Sequence, residues 1–310
     1  MSSLAPIHAR INRILDRIDC GEGIRPTELP GLRTVRCHKN IPRSSVLYEP
    51  SIVMVTSGSK RGYVGSRSFV YDTENYLVLA APLPFECETF CEPHAPLRGV
   101  SILLDMAVLA DLVLKLPPAP AQANPQPRTI DATPLPEPLA EAALRLLEAY
   151  ENPNDRMILG PQIMREITYR VLTGPRGQVL RDLLAMQGNI SQVYRAMHRI
   201  HTEYDRQLDI PTLACDAGMS LSAFHHHFKN MTSTSPLQYL KTTRLHKARL
   251  MMIQEGIGPS AAATRVGYES PSQFSREFKR LFGVSPAEEA LRLRSNLGAQ
   301  TQPPLRVAMI

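Results

Sequence analysis

The sequence predicts an α+β protein of two domains: a small antiparallel β-barrel with trailing helices, then an all-helical domain with two helix-turn-helix motifs. Three observations favour this fold class. The length of 310 residues suggests two domains. Short runs rich in Val, Leu, Tyr and Phe, separated by turn residues, fill residues 34–104, and helical spacing dominates afterwards. Near the C-terminus, a segment repeats itself at an offset of 50 residues.

The first 20 residues predict an amphipathic helix, since Ile7, Ile11, Ile14 and Ile18 follow helical spacing with arginines between them. Such a helix can lie on a membrane surface, but packing against the protein is the favoured interpretation. We treat residues 1–29 as this helix and a lead-in to the first domain.

The predicted strands include Ser51–Thr56, Arg67–Tyr71, Tyr76–Ala80 and Pro84–Phe90. Turn signals such as Ser57-Gly58-Ser59 separate them. Many short strands at this spacing are typical of a small antiparallel barrel or jelly roll.

Helices follow the strands. Asp105–Lys115 predicts the first of them, and residues 117–138 hold eight prolines in 22 residues, which indicates a linker or an extended surface loop. Leu139, Leu146, Leu147 and Tyr150 then mark an apolar helix face, which we interpret as a dimerisation surface, with packing on the barrel as the alternative. Further helices are predicted at Pro161–Thr173, Gln178–Met186 and Ser191–Tyr204, and residues 295–310 are predicted to be a disordered tail.

The repeat is a duplicated supersecondary unit. Four residues recur at the same offset: Ser222, Phe224, Phe228 and Lys229 return as Ser272, Phe274, Phe278 and Lys279. Each copy follows a run of small residues and a glycine, Gly218 or Gly267. Two copies are too few for a solenoid. A short helix, a glycine turn and a second helix form a helix-turn-helix, whose second helix can enter a DNA major groove.

The charge is unevenly placed. Residues 1–194 contain 20 Lys+Arg and 20 Asp+Glu, whereas residues 195–294 contain 14 Lys+Arg, 9 Asp+Glu and six of the nine His. Positive charge concentrated around the repeat suits a surface that binds phosphates.

Composition also indicates a compartment. Five cysteines with scattered spacing do not form a dense disulfide framework and fit a reducing cytoplasm. The N-terminus lacks the pattern of a secretory signal, and no stretch approaches the roughly 20 apolar residues that span a bilayer. We therefore expect a cytoplasmic protein without a membrane partner.

The repeat resembles the DNA-binding domain of the AraC/XylS family of bacterial transcription regulators. The second copy carries the family's signature: Gly267-Tyr268-x-Ser270-x-Ser272-x-Phe274-Ser275-Arg276-x-Phe278-Lys279-Arg280-x-Phe282-Gly283-x-Ser285-Pro286. The stretch Tyr239-Leu240-x3-Arg244-Leu245-x2-Ala248-Arg249 is similar to the long helix that joins the two motifs. Upstream, Leu47-Tyr48-Glu49-Pro50-Ser51, Gly58-Ser59-Lys60-Arg61 and Gly65-x3-Phe69-x-Tyr71-Asp72 resemble the sensor domain of one AraC subfamily.

The resemblance implies a cupin-like sensor and dimerisation domain over residues 30–190 and a double helix-turn-helix DNA-binding domain over residues 191–294. It implies a sequence-specific transcription regulator that responds to a small-molecule effector and acts as an activator. Its partners would be double-stranded DNA, RNA polymerase and a second copy of the chain.

The predicted DNA-binding residues follow from helix geometry. The two Phe of each copy lie four apart on one face and belong to the core, so the residues between them face outward. The resemblance implies that the outward positions correspond to those that meet bases and phosphates in the family: Ser222, His225, His226, Lys229, Ser272, Gln273, Ser275, Arg276 and Lys279. Arg can bind guanine and Gln can bind adenine at the base edge. The alternative is an ordinary solvated helix face.

The run His225-His226-His227 departs from the family pattern, which often has Arg in place of His226. Adjacent side chains point about 100° apart on a helix, so the three cannot bind one metal ion there. A neutral His can still donate or accept at a base edge.

Chemistry other than DNA binding has weaker signals. Cys87 and Cys91 would face the same side of a strand and could meet an electrophilic effector, although two ordinary small apolar residues are the favoured interpretation. His38, Glu49 and His94 could mimic the metal ligands of cupins but lack the His-x-His spacing of cupin enzymes. We expect no metal, cofactor or catalytic residue. A cupin-type enzyme fused to a DNA-binding domain is the alternative function.

Overall fold

The computed structural model describes residues 4–18, 21–92, 95–117, 129–175, 177–184 and 189–291. The strands are β1 (Gly23–Pro26), β2 (Leu32–Cys37), β3 (Ile41–Tyr48), β4 (Ser51–Ser57), β5 (Ser59–Val64), β6 (Arg67–Tyr71), β7 (Asn75–Leu79), β8 (Leu83–Phe90), β9 (Leu97–Leu103) and β10 (Ile130–Pro134). The helices are α1 (Ala5–Arg17), α2 (Met106–Lys115), α3 (Glu137–Glu151), α4 (Pro153–Thr173), α5 (Gly177–Leu184), α6 (Asn189–Thr202), α7 (Ile210–Asp216), α8 (Leu221–Thr232), α9 (Pro236–Gln254), α10 (Pro259–Arg265) and α11 (Pro271–Phe282).

The strands form two antiparallel sheets. The six-stranded sheet has the order β1-β2-β9-β4-β7-β10, and the four-stranded sheet has the order β3-β8-β5-β6. Across the described ranges, the edge strands of one sheet do not pair with those of the other. The predicted barrel is therefore cupin-like but not closed, and the fold class of an N-terminal β-rich domain and a C-terminal helical domain is confirmed.

The central strand β4 shows why the first core has two halves. Its side chains alternate between the two faces of the sheet, and residues 51–56 are all buried. Val53 and Val55 face the interior between the sheets, whereas Ile52 and Met54 face the helices. A strand covered on both faces needs an unbroken apolar run, which is the pattern of this segment.

Helices α1, α3 and α4 cover the outer face of the larger sheet. The predicted N-terminal helix packs on the protein through Ile11, Ile14 and Leu15. At its exposed side, Arg17 donates to Glu151 of α3 at 2.7 Å. The membrane-surface alternative for this helix is therefore not supported. No helix within the described parts of the chain is both long enough and apolar enough to span a bilayer.

The apolar face of α3 is covered inside the protomer. Leu139, Leu146, Leu147 and Tyr150 are all buried and join the same core as α1 and β4. The prediction that this face forms a dimer interface is therefore wrong, and the alternative of packing on the barrel is correct.

Two elements differ from the sequence-based expectation. The proline-rich stretch contains a strand, β10, which pairs antiparallel with β7 as an edge strand. An edge position tolerates Pro134, because its missing N–H faces away from the ladder. Helix α4 begins at Pro153 rather than at Pro161, which lies inside it. Asn152 caps the earlier start by accepting from the backbone N–H of Asn154 at 2.9 Å. The predicted tail at 295–310 lies outside the described residues.

The barrel packs directly on the C-terminal helices. The Tyr239 hydroxyl of α9 donates to the Pro82 carbonyl at 2.5 Å, and His201 of α6 lies 2.8 Å from the same hydroxyl. His246, about two turns further along α9, contacts Ser45 of β3 at 3.0 Å. One continuous apolar cluster runs from the barrel interior into α6 and α8. The long helix α9 is thus held by the barrel.

Acid should destabilise the protein through the half-buried His201 and the buried His246. Burial lowers the pKa of His201 and of His246 to about 3, against about 6.5 in an unfolded chain. Below pH 6.5 the unfolded state binds more protons, so stability is level above that pH and falls as the pH drops toward 3. At pH 5.5 each histidine should cost about 1.4 kcal/mol of unfolding free energy.

Urea denaturation at pH 7.5 and 5.5 measures this loss. His246→Gln should reduce the loss between the two pH values. His226→Gln, which changes an exposed histidine of α8, should leave it as in the unmodified chain. If both variants lose the same unfolding free energy between pH 7.5 and pH 5.5, His246 is not a source of the acid sensitivity.

Candidate nucleic-acid interface

The first helix-turn-helix unit consists of α7, a turn and α8. Asp209 caps α7 by accepting from the Thr212 N–H at 3.2 Å, and Ser220 caps α8 by accepting from the Ala223 N–H at 3.3 Å. Gly218 between them has a φ of +65°, which favours glycine. Capped ends and a glycine turn fix the angle between the two helices.

The second unit consists of α10, a turn and α11, and it shares with the first unit the glycine turn and the serine cap of the second helix. Ser270 caps α11 by accepting from the Gln273 N–H at 3.3 Å. Gly267 in the turn has a φ of +82°, and a Cβ added there would lie 2.7 Å from the Asp205 carbonyl oxygen. Both the backbone conformation and the space therefore require glycine at this position.

Each second helix is anchored by its phenylalanine pair. Phe224 and Phe228 of α8 are fully buried with ring centroids 5.4 Å apart, and Phe274 and Phe278 of α11 repeat this at 5.6 Å. Phe228 also packs edge-on against Tyr239 of the linking helix α9. The predicted core face of both helices is confirmed.

The opposite faces of α8 and α11 lie in solvent. All nine predicted DNA-binding residues are exposed: Ser222, His225, His226, Lys229, Ser272, Gln273, Ser275, Arg276 and Lys279. They supply hydroxyls, imidazoles, an amide and three cations, which are the donors and acceptors that read base edges and bind phosphates. Gln273 Nε2 donates to Glu277 Oε1 at 3.1 Å, and the Asn230 amide lies 3.0 Å from His226 Nε2.

Glu277 is a positioning residue that the sequence did not suggest. It accepts hydrogen bonds from Lys241 at 2.7 Å, from the Tyr268 hydroxyl at 2.7 Å and from Gln273. Partial burial raises the pKa of Glu277, but the hydrogen bonds from Lys241, Tyr268 and Gln273 outweigh it and the net pKa is lowered. A charged Glu277 therefore ties α11 to α9 and orients the Gln273 amide.

Arg244 of α9 ties the second unit to the segment before α7. Its guanidinium donates to the carbonyls of Tyr204, Arg206 and Gly267 at 2.7, 2.7 and 3.0 Å. Its donors are thus directed at backbone and not at solvent. The family signature includes this arginine, but its role in joining the two units needs the three-dimensional contacts.

The barrel interior holds a polar chain that includes one of the two predicted effector-binding cysteines. Buried Cys87 of β8 has its sulfur 3.5 Å from the Tyr71 hydroxyl, which lies 3.5 Å from the Tyr48 hydroxyl. Lys60 Nζ donates to Tyr48 at 2.8 Å. Cys91 lies just beyond the end of β8, where its thiol donates to the Cys37 carbonyl at 3.1 Å. The structure therefore places Cys87 and Cys91 in different surroundings.

Two of the three residues that could mimic cupin metal ligands, His38 and Glu49, contact different partners. His38 Nδ1 lies 2.6 Å from the Glu22 carboxylate, and Glu49 accepts from Arg33 at 2.5 Å. His94 lies outside the described residues. Across the described part of the chain, no group of three or more His, Cys, Asp or Glu is placed to hold a metal ion.

Two family models match the chain. The model described as the N-terminus of AraC-type transcriptional regulators covers residues 28–179, and a helix-turn-helix domain model covers residues 213–291. The chain belongs to the AraC/XylS family. This confirms the resemblance that the repeat and the upstream segments carry.

Curated relatives of this AraC/XylS chain are transcription regulators. The lactose operon transcription activator of Staphylococcus xylosus is 24% identical over 146 residues, which are 46% of this chain and 50% of that protein. The RCS-specific HTH-type transcriptional activator RclR of Escherichia coli K12 is 36% identical over 85 residues, 27% of this chain and 30% of that protein. The chain spans half or less of the length of these relatives.

Solved structures share the whole architecture. The apo form of a ToxT variant from Vibrio cholerae strain SCE256 superimposes with a TM-score of 0.58, at 10% identity, over 88% of this chain and 100% of that one. Wild-type ToxT with a bound unsaturated fatty acid gives 0.57 at 10% identity, over 86% of this chain and 95% of that one. At this identity the likeness establishes the fold of the AraC/XylS chain.

Phe278→Ala should destabilise the helix-turn-helix region of this AraC/XylS chain by about 3–5 kcal/mol, because it leaves a cavity under α11. Urea denaturation followed by circular dichroism measures the loss. Leu291→Ala, at a residue 67% exposed, is the matched control and should change stability by less than about 0.5 kcal/mol. Equal stability of the two variants would show that Phe278 does not anchor α11.

Proposed function

We propose that this chain binds double-stranded DNA sequence-specifically and activates transcription in response to a small organic effector. The observation that carries the proposal is the pair of capped, phenylalanine-anchored helices, α8 and α11, whose outer faces expose the nine polar and basic side chains described above. A major groove admits one such helix. The relatives named as activators support the sign of regulation.

The two units belong to one chain and are joined by α9. A 19-residue helix spans about 28 Å, close to the roughly 34 Å that separates successive major grooves on one DNA face. The contacts of Arg244 and Glu277 hold the second unit against α9. One protomer would therefore read a bipartite, non-palindromic half-site.

Arg276→Ala should weaken operator binding by about 1–3 kcal/mol and leave folding intact, since Arg276 lies on the outer face of α11. Fluorescence anisotropy with a selected operator and a thermal melt of the same variant give both quantities.

The control is Arg10→Ala, which removes the same charge from α1 at a side chain 56% exposed. It should bind operator like the unmodified chain. If Arg276→Ala binds equally well, α11 is not a recognition helix.

For the effector, we propose the barrel interior over residues 30–115 and a ligand with an anionic or hydrogen-bond-accepting group. Lys60 supports this, because it lies at the end of the chain of Tyr48, Tyr71 and Cys87. Burial lowers the pKa of Lys60, but its interactions with Tyr48 and Cys87 outweigh burial and the net pKa is raised, so the amine stays protonated. A cation among apolar and hydroxyl side chains suits a carboxylate. ToxT, crystallised with an unsaturated fatty acid, provides a precedent.

Lys60→Met should weaken carboxylate binding tenfold or more, because a partly buried hydrogen bond between charged groups contributes about 1.4 kcal/mol or more. Calorimetry with a series of carboxylates from acetate to oleate measures it. Lys115→Met, at an exposed residue of α2, is the control and should bind as the unmodified chain does. Equal affinities for both variants would place the effector elsewhere.

The effector would act through the junction at α9. We propose domain bounds of 30–190 and 191–294, with Tyr239, His201 and His246 at their junction. An effector in the barrel that shifts β8 would shift the Pro82 carbonyl and hence Tyr239. Thermodynamic linkage then requires operator DNA to change effector affinity by the same factor. RNA polymerase would be contacted once the protein is bound upstream of a promoter.

We also propose that the protein forms a homodimer, through α4 and not α3. Met157 and Ile158 of α4 are 67% and 61% exposed, and Tyr169 is exposed on the same side as Ile158 about 16 Å along the helix. Exposed apolar groups in such a row are typical of an interface. A second copy of α4 would cover them.

Sedimentation of Met157→Asp tests this interface. The substitution should shift the protein toward the monomer, since a carboxylate would be buried between the copies. Leu291→Asp, at an equally exposed leucine, should leave the dimer intact. If the unmodified chain is monomeric at high concentration, the dimer proposal fails.

A further inference from the structure

Cys37 and Cys91 lie together at one end of the barrel, outside the polar chain of the interior. Cys37 ends β2 in the six-stranded sheet, and Cys91 directly follows β8 in the four-stranded sheet. They are 54 residues apart in sequence. The two residues therefore come from different sheets and meet only in the folded protein.

Both thiols contact carbonyl oxygens of the same short backbone segment, residues 37–39. The Cys37 thiol lies 3.0 Å from the Lys39 carbonyl oxygen, and the Cys91 thiol lies 3.6 Å from that oxygen. The Cys91 sulfur is also 3.1 Å from the Cys37 carbonyl oxygen, and the Cys91 N–H donates to the Asn40 side chain at 2.7 Å. Because both sulfur atoms contact the Lys39 carbonyl oxygen, the two thiols are neighbours at this end of the barrel, and such closeness is what a disulfide requires.

We propose that Cys37 and Cys91 are an oxidative modification site, at which a peroxide converts the two thiols into an intramolecular disulfide. The proposal does not depend on the function proposed above. The product would be a covalent link between the two sheets, whose edge strands do not pair with each other in the described ranges.

The surroundings favour a disulfide over a metal site. Glu22 lies beside Cys37 and binds His38 at 2.6 Å. Even so, no three of these groups are arranged to hold a metal ion within the described ranges. Since the two thiols do not belong to a metal-binding group in the described ranges, disulfide formation is the reaction that their closeness favours.

The two cysteines have different roles in the reaction. Cys91 is partly exposed and Cys37 is buried, so a dissolved oxidant reaches Cys91 first. The pKa of Cys37 is raised to about 11, mainly by burial; the hydrogen bond to the Lys39 backbone opposes this rise, and Glu22 and Cys91 contribute to it. Cys37 is therefore a poor primary nucleophile and acts as the resolving thiol.

The reaction balances with the peroxide as the only oxidant. The Cys91 thiolate attacks one peroxide oxygen, the O–O bond breaks, water leaves, and Cys91 becomes a sulfenic acid. The Cys37 sulfur, losing its proton, then attacks the Cys91 sulfur and the hydroxyl group leaves as a second water. Two thiols lose two electrons in total, and hydrogen peroxide is reduced to two waters.

Hydrogen peroxide treatment of the full chain, followed by alkylation and non-reducing peptide mapping, tests the proposal. We expect a Cys37–Cys91 linked peptide that is two hydrogens lighter than the reduced pair and that dithiothreitol reverses. In Cys37→Ser, dimedone should trap the sulfenic acid on Cys91 at least tenfold more than in the unmodified chain. Cys87→Ser is the matched control and should still form the linked peptide.

Exposed Cys215 of α7 reports whether the dose is sufficient. If Cys215 is fully oxidised while Cys37 and Cys91 both remain thiols, the proposal is overturned. A disulfide of Cys91 with any cysteine other than Cys37 would overturn it as well.

Discussion

The burial of two phenylalanines four residues apart is the constraint on which the candidate interface depends. In α8 and again in α11, the pair fixes which way the helix is turned about its axis. Once Phe274 and Phe278 point into the core, Gln273 and Arg276 must point outward. The caps at Ser220 and Ser270 then fix where each helix begins. The outward orientation of these polar and basic side chains therefore follows from packing alone.

The helical domain was predictable from the sequence because its signals are local. In each copy the glycine turn, the serine cap and the phenylalanine pair lie within one short segment of the chain, and the repeat shows these three signals twice. The exposure of the nine predicted residues follows from this local geometry. By contrast, Glu277 and Arg244 are missed as positioning residues, because their partners lie on other helices.

The barrel was predictable as a class and not in detail. Strand propensity indicates β4 and β8, but strand order and the open edges depend on pairings between distant segments. β10 escapes prediction because it lies in a proline-rich stretch and its own proline, Pro134, is tolerated only at a sheet edge. The apolar face of α3 looks the same in sequence whether a barrel or a second copy covers it. The contacts of Cys37 with Cys91 and of Tyr239 with Pro82 also join segments that are far apart in sequence, so they are visible only in the folded chain.

The central claim is that one protomer reads DNA with two recognition helices held in register by α9. Selection of binding sites from random duplexes with the full chain, followed by hydroxyl-radical footprinting of the selected sequence, tests it most directly. The account predicts two short specified blocks on one face of the duplex, with centres about 10 base pairs apart. A single specified block, or selection of no common sequence, would contradict it.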